Sequence, residues 1–323
     1  MPLHIWLWVG FILFVLFMLA LDLGVFHRHA HAISKKEALA WSVFWVTLSL
    51  VFNAGVWHFA GGQKALEFFT GYLIEKSLSL DNIFVFLALF TYFSVPARYQ
   101  HRVLYWGILG ALIMRGLMIG VGAVLIARFE WILLLFGIFL IITGVRFARQ
   151  GEVSVHPEAN PVLRLLRRAL PVTSDFREEH FFVREGGRWL ATPLLVVLVL
   201  VESSDVVFAV DSIPAIFGIT RDPFIVFTSN VFAILGLRAL YFLLAGIMPM
   251  FRYLNVGLGA ILAFVGVKMV LGHFHVEISI PMSLGVIAAL LLGTMAASIW
   301  KVRREGLPRF FPWDVKKEKR PPS

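Results

Sequence analysis

Nine long apolar runs divide this sequence, and they constrain its fold more than any other feature. Each run approaches the roughly 20 residues that an α-helix needs to cross about 30 Å of hydrocarbon. Hydrophobic residues make up 59% of the chain and charged residues 15%, whereas soluble domains have roughly 45–50% and about 25%. A soluble surface cannot hold this apolar excess. The sequence therefore predicts an all-α fold, a polytopic helical membrane protein with about nine transmembrane helices in a lipid bilayer. The runs are Ile5–Phe26, Ala38–Ala60, Phe68–Phe93, Val103–Ala127, Trp131–Val145, Leu190–Val210, Phe224–Ile247, Leu254–Leu271 and Ile280–Trp300.

Lysine and arginine are distributed unevenly between the segments that join these runs. Alternate loops and the C-terminal tail carry 22 of them on one side, against three on the other. Because basic loops stay in the cytoplasm, this asymmetry predicts an N-terminus outside and a C-terminus in the cytoplasm. It also accounts for the net charge of +9 without a nucleic-acid partner. We expect a single integral membrane domain over 1-323, with a basic cytoplasmic tail at 301-323.

A cytoplasmic loop at 149-189 is the one sizeable polar segment between the apolar runs. Its prolines argue against one long helix, because proline lacks the backbone N–H that an interior helical position donates. Within it, Phe181–Arg184 and Arg188–Ala191 flank a glycine-containing turn, so we expect a short β-hairpin there.

Three landmarks recur in the same order in the two halves of the chain. Asp205 follows Asp81 by 124 residues, Arg238 follows Arg115 by 123, and Lys268 follows Arg146 by 122. This near-constant offset predicts a duplicated three-helix unit, with copies at 67-148 and 190-272. Because three spans are an odd number, the copies must cross the membrane in opposite directions. Two inverted three-helix repeats are the recurring architecture of secondary transporters, whose site lies near the midplane.

Carboxylates lie inside the third and sixth apolar runs, where one charged side chain costs about 2.5–3.5 kcal/mol to insert. Two explanations remain open: the acids bind cations, or basic residues in the same runs neutralise them in a structural ion-pair network. Carboxylate, amide and hydroxyl oxygens without thiolates suit hard divalent ions such as Mn²⁺, Mg²⁺ or Ca²⁺. The predicted metal ligands are Glu75, Asp81, Asn82, Glu202, Asp205 and Asp211. The predicted supporting residues are Ser212, Arg115, Arg238 and Asn230.

The spacing of these acids predicts interrupted helices. Glu75 and Asp81 are six residues apart, as are Asp205 and Asp211, which places each pair on different faces of an unbroken helix. One shared site would collect both members more easily if each helix were unwound between them. Pro214 disfavours a helical residue before it and indicates such an interruption in the sixth run.

Two stretches of the chain resemble the signature segments of the TerC family of integral membrane proteins. They are Glu75-(x5)-Asp81-Asn82 and Glu202-(x2)-Asp205-(x2)-Phe208-Ala209-(x)-Asp211-Ser212-Ile213-Pro214-Ala215. Two further segments, Glu179-His180-Phe181-Phe182-Val183-Arg184 and Ala191-Thr192-Pro193, are similar to the Alx-like branch of that family. The resemblance implies a multi-pass protein of the bacterial inner (plasma) membrane. It also implies a link to manganese export, alkaline-pH response or tellurite resistance.

These observations predict a secondary transporter that exports a hard divalent cation, most of all Mn²⁺, in exchange for protons. The metal ion is the transported substrate, and we expect no permanently bound cofactor, no catalytic residue and no enzymatic activity. One alternative is a non-transporting membrane scaffold that binds protein partners through the cytoplasmic loop and the basic tail. Another is a redox or stress-response modulator of the tellurite-resistance type, although a chain with no cysteine carries no dithiol chemistry.

Overall fold

A computed structural model describes residues 2–24, 35–129, 131–149, 160–185, 187–245 and 253–305. Helices dominate these ranges, and this confirms the predicted polytopic helical membrane protein. The helices are α1 Pro2–Gly24, α2 Lys35–Ala60, α3 Gly62–Tyr92, α4 Ala97–Arg128, α5 Ile132–Arg149, α6 Pro161–Ala169, α7 Pro193–Phe217, α8 Pro223–Leu235, α9 Leu237–Leu244, α10 Leu254–His273 and α11 Ile280–Glu305.

Seven helical stretches in the described ranges are long and apolar enough to cross a membrane. They lie in α2, α4, α5, α7, α8 with α9, α10 and α11, and a shorter apolar stretch, Ile5–Leu21, lies in α1. The helix α3 is 31 residues long but carries charged side chains in its interior, including Glu75, Lys76 and Asp81. The total of nine spans stays a prediction.

The helices α3, α4, α7 and α8 pack against one another at the centre of the bundle. In an apolar 18-residue segment of Pro223–Leu244, 83% of the residues are buried, against 11% in such a segment of Lys36–Ala60 in α2. Apolar side chains on the outer surfaces of α1 and α2, such as Trp6 and Phe59, are exposed. An exposed apolar surface of this kind suits lipid, whereas the buried centre can hold polar groups away from it.

The helices α5 and α10 cross at very close range through paired glycines. A methyl group added to Gly137 would lie 2.9 Å from the carbonyl oxygen of Gly266, and one added to Gly144 would lie 2.5 Å from that of Gly259. Because the later residue of one helix meets the earlier residue of the other, the two helices run antiparallel. Small residues let backbones approach in this way, so a larger side chain at any of the four positions would separate the helices.

The interruption that Pro214 predicts in the sixth run is wrong, and the third run, which has no proline to predict one, is continuous as well. The helix α3 is continuous from Gly62 to Tyr92, and α7 is continuous from Pro193 to Phe217 with Pro214 inside it. Pro214 lies three residues before the end of α7, and the N–H that it lacks would have donated to the carbonyl of Val210, so the helix loses one hydrogen bond near its C-terminal end and stays continuous. The paired acids consequently occupy different faces of continuous helices.

The predicted hairpin in the polar loop is confirmed. Strand β1, Phe182–Glu185, pairs antiparallel with strand β2, Arg188–Ala191. Gly187 has φ +79°, a backbone conformation that glycine adopts without steric cost. An ion pair of 3.2 Å between Arg102 and Glu179 fastens this segment to α4.

Candidate functional site

The guanidinium of Arg115 lies at the centre of the bundle and joins three helices. Arg115 belongs to α4 and is 1% exposed. Its Nε and Nη2 donate to the two carboxylate oxygens of Asp205 on α7, at 3.0 and 2.8 Å. Its Nη1 pairs with Oε1 of Glu75 on α3. One cation therefore neutralises two buried carboxylates, with the two-pronged geometry that favours arginine over lysine.

Neutral polar side chains complete the surroundings of Arg115. Nη1 lies 3.4 Å from the hydroxyl of Ser212 and 3.5 Å from the amide oxygen of Asn230 on α8. The Asn82 side-chain amide on α3 donates to Oδ1 of Asp205 at 3.3 Å. All of these side chains are buried, so α3, α4, α7 and α8 are held together by one polar network in an apolar bundle.

Asp81 and Asp211 belong to a second group of polar side chains. Asp81 is 3% exposed, and its Oδ1 has no hydrogen-bond partner. It lies close enough to Asp211 for their charges to repel, and Asp211 in turn lies near Thr143 of α5. Because each of these acids is six residues from a member of the Glu75–Asp205 group, an unbroken helix places it on a different face. This second group contacts no cationic side chain in the described network.

Glu202 lies one turn before Asp205 on α7, and its carboxylate packs directly against Gly110 of α4. A methyl group at Gly110 would collide with that carboxylate, so the close approach of α4 and α7 requires glycine there. Oε2 of Glu202 has no hydrogen-bond partner. The next residue, Ser203, accepts a hydrogen bond of 2.9 Å from Asn160, which also caps the N-terminus of α6. Glu202 thus lies where α6 meets the end of the bundle.

Several acceptor oxygens in this region are buried and unpaired. They are Oε2 of Glu75, Oδ1 of Asp81, Oδ1 of Asn82 and Oε2 of Glu202. An unsatisfied buried polar atom costs about 1–3 kcal/mol, and such atoms are rare in folded proteins. A bound cation or a proton would stabilise an unpaired carboxylate oxygen in a low-dielectric interior.

The six predicted ligands do not form one coordination sphere. Within the described ranges, no three His, Cys, Asp or Glu side chains converge closely enough to hold a metal ion. The structure joins Glu75 to Asp205 through Arg115, and Asn82 bonds to Asp205 directly. In the described ranges, no hydrogen bond or ion pair links Asp81 or Asp211 to that group. Arg238 is buried and lines, together with Asp205, a cavity of about 10 Å³, enough for about one water molecule.

A cavity of about 1300 Å³ opens where α3, α8 and α11 begin and α7 and α10 end. In its wall, the Lys64 ammonium bridges Glu67 at 2.9 Å and Asp222 at 3.2 Å, and Thr220 donates to Glu67. Glu67 precedes Glu75 by eight residues, or roughly 12 Å along a helix.

Sequence reasoning missed this cavity and Thr143, because a lone hydroxyl in an apolar run and a charge at a helix end carry no distinctive pattern.

Comparison with known proteins agrees with this description. Residues 60–306 match the sequence profile described as "Integral membrane protein TerC family". An uncharacterized membrane protein of Myxococcus xanthus is 58% identical over 92% of this chain and 93% of its own length. A protein of Escherichia coli (strain K12) named "Putative membrane-bound redox modulator Alx" is 52% identical over 91% of this chain and 94% of its own. An uncharacterized membrane protein of Rickettsia bellii is 42% identical over 91% of this chain and 97% of its own length. No solved structure matches the chain.

Proposed function

The chain belongs to the TerC family of integral membrane proteins, and on that premise we propose that it is a secondary transporter for a hard divalent cation. Mn²⁺ is the substrate we favour, exported from a bacterial cell across the inner membrane in exchange for protons. The observation that carries this proposal is the excess of buried carboxylates at the centre of the bundle, bridged by the guanidinium of Arg115.

The charge balance of the central region favours a cationic substrate. Glu75, Asp81 and Asp205 are each less than 5% exposed, and Glu202 and Asp211 are partly buried. Three cations also lie in this region, the buried Arg115 and Arg238 and the partly buried Lys76, so these acids outnumber the cations by five to three. Arg115 contacts two of the acids. Their oxygens, with the amide oxygen of Asn82, are the donors that Mn²⁺ accepts readily. Arg115 occupies the position between two carboxylates that a dication would otherwise fill. We infer that the ion displaces it and collects the unpaired oxygens.

The packing of α5 on α10 supports the inverted repeats on which alternating access would depend. Gly137 and Gly259 are separated by 122 residues, as are Gly144 and Gly266. The contacts join Gly137 to Gly266 and Gly144 to Gly259. This reciprocal pairing of equivalent residues is what a two-fold axis between the repeats would produce. Rocking of one repeat against the other would then expose the central acids to each side in turn.

Proton exchange follows from the chemistry of the ligands. Metal ligation requires deprotonated carboxylates, so acids that hold protons in the ion-free state release them when Mn²⁺ binds. An inward proton gradient would then drive the ion out. The same coupling would make export respond to alkaline conditions without a separate sensor.

Ion flux into proteoliposomes tests the proposal directly. We expect the purified protein to carry Mn²⁺, with Ca²⁺ and Mg²⁺ as comparison ions, and an opposing pH gradient to accelerate the movement. The protein truncated from Arg309 onward should transport as the full chain does, because none of the proposed ligands lies in the tail. The scaffold alternative would be supported if none of the three ions moved and if truncation abolished the protein's effect in cells, such as an alkaline-pH response or tellurite resistance.

The proposed orientation can be tested with cysteine labelling, because the natural chain has no cysteine. Gln63→Cys introduces a thiol in the exposed wall of the large cavity, and Arg184→Cys introduces one on the exposed hairpin. In intact cells we expect a membrane-impermeant maleimide to label Gln63→Cys at once and Arg184→Cys only after permeabilisation. The reverse pattern would place the cavity on the cytoplasmic side and refute the proposed orientation.

The name of the Escherichia coli relative leads to the second candidate, a redox modulator. This chain has no cysteine to supply dithiol chemistry. A redox effect would therefore not come from a thiol of this chain, and the metal ion it moves or a partner protein could supply it instead. Flux measurements on the isolated protein separate the first of these explanations from the second.

A further inference from the structure

One face of α5 carries apolar side chains that are largely exposed. The opposite face packs against α10 through Gly137 and Gly144. Leu135, Ile138, Ile142 and Val145 are each more than 40% exposed. Their spacing of three and four residues places them on one side of the helix, as a continuous stripe. A stripe of this kind inside a membrane helix faces lipid acyl chains or another apolar surface.

Two arginines end this stripe at the C-terminus of α5. Arg146 and Arg149 are exposed, and with Ile142 and Val145 they line a groove of about 580 Å³. Neither arginine forms an ion pair with a described residue, whereas Arg102, Arg115 and Arg177 all do. Two guanidinium groups three residues apart therefore lie next to an apolar groove without a counter-charge from the described chain.

We propose that this groove binds one anionic phospholipid. The two guanidinium groups hold its phosphate, since arginine presents several N–H donors in a fork that matches phosphate oxygens. An acyl chain then lies along Ile142, Ile138 and Leu135. The charge decides between lipid and a second copy of this chain. A two-fold contact through this face would bring four guanidinium groups together, and the described ranges place no carboxylate between them.

Titration of the delipidated, full-length protein with phosphatidylglycerol, followed by native mass spectrometry, tests the proposal. Each arginine near an anionic lipid contributes about fivefold in affinity. We therefore expect the R146Q/R149Q variant to bind phosphatidylglycerol about 30-fold more weakly than the natural protein, and R149Q alone about fivefold. Phosphatidylcholine should bind the natural protein and R146Q/R149Q equally weakly.

The matched control is R303Q/R304Q, which removes a second exposed pair of arginines at the end of α11. It should retain the affinity of the natural protein, because no comparable groove adjoins those two residues in the described ranges. An equal loss in both double variants would show nonspecific charge attraction and overturn the proposal. Full retention in R146Q/R149Q would overturn it as well. Competition by inorganic phosphate at the same concentration as the lipid would indicate an ordinary anion site instead of a lipid site.

Discussion

Asp81→Asn and Asp205→Asn are each expected to abolish Mn²⁺ export while leaving the protein inserted in the membrane. Asparagine keeps the shape of the side chain but removes the charge that a dication needs at a buried oxygen site. The loss should exceed about 100-fold in flux, since one missing charged ligand costs several kcal/mol and each 1.4 kcal/mol is a factor of ten. The measurement is initial Mn²⁺ flux in proteoliposomes at equal protein content.

The two substitutions should differ in their effects on stability. Asp205 accepts two hydrogen bonds from Arg115, so Asp205→Asn removes one side of a buried ion pair and should lower the melting temperature. Oδ1 of Asp81 has no partner, and Asp81→Asn relieves its repulsion with Asp211. We expect Asp81→Asn to melt no lower than the natural protein while transport is lost. That combination separates a transport role from a structural one.

A matched control is Glu185→Gln on the hairpin. Glu185 pairs with Arg177 at 3.0 Å, and both side chains are about half exposed, so the pair contributes about 1 kcal/mol or less. Flux and melting temperature should both stay at the values of the natural protein. Normal Mn²⁺ flux in Asp81→Asn and Asp205→Asn would remove the central acids from the transport mechanism.

The helices could be predicted from the sequence because apolar runs in lipid have few alternatives. A backbone in hydrocarbon must satisfy its hydrogen bonds internally, and this requirement overrides local signals such as Pro214. The same reasoning explains the one clear error. Pro214 predicts a break between Asp205 and Asp211, yet it lies close enough to the end of α7 for the helix to continue through it.

The composition of the site could be predicted better than its grouping. Buried charge marked Glu75, Asp205 and Arg115 as important, since each is costly in lipid and needs a partner. Which acid faces which partner depends on how α3 and α7 rotate against α4 and α5, and sequence spacing does not determine that rotation. The contact of Glu202 with Gly110 was invisible for the same reason.

Arg115→Gln should destabilise the ion-free protein strongly. Removing one partner of a buried ion pair costs about 3–5 kcal/mol, here because Glu75 and Asp205 would face each other without their shared cation. At about 2–4 °C per kcal/mol, the melting temperature in chelator should fall by about 10 °C. Arg177→Gln, which breaks only the exposed pair with Glu185, is the control and should shift it little.

Mn²⁺ should restore much of the stability that Arg115→Gln loses. This response distinguishes the two interpretations of the buried acids, as a cation site or as a structural ion-pair network. If the acids form a cation site, a dication can take the place of the guanidinium, and at 100 times its dissociation constant it contributes about 2.7 kcal/mol. If the acids only hold the helices together through Arg115, added Mn²⁺ leaves the variant as unstable as it was in chelator. We expect the melting temperature of Arg115→Gln to rise with Mn²⁺ concentration, and to rise more than that of the natural protein. This result would place the transported ion between Glu75 and Asp205. A flat response would exclude it from that position, because the vacated space would then have no affinity for the substrate.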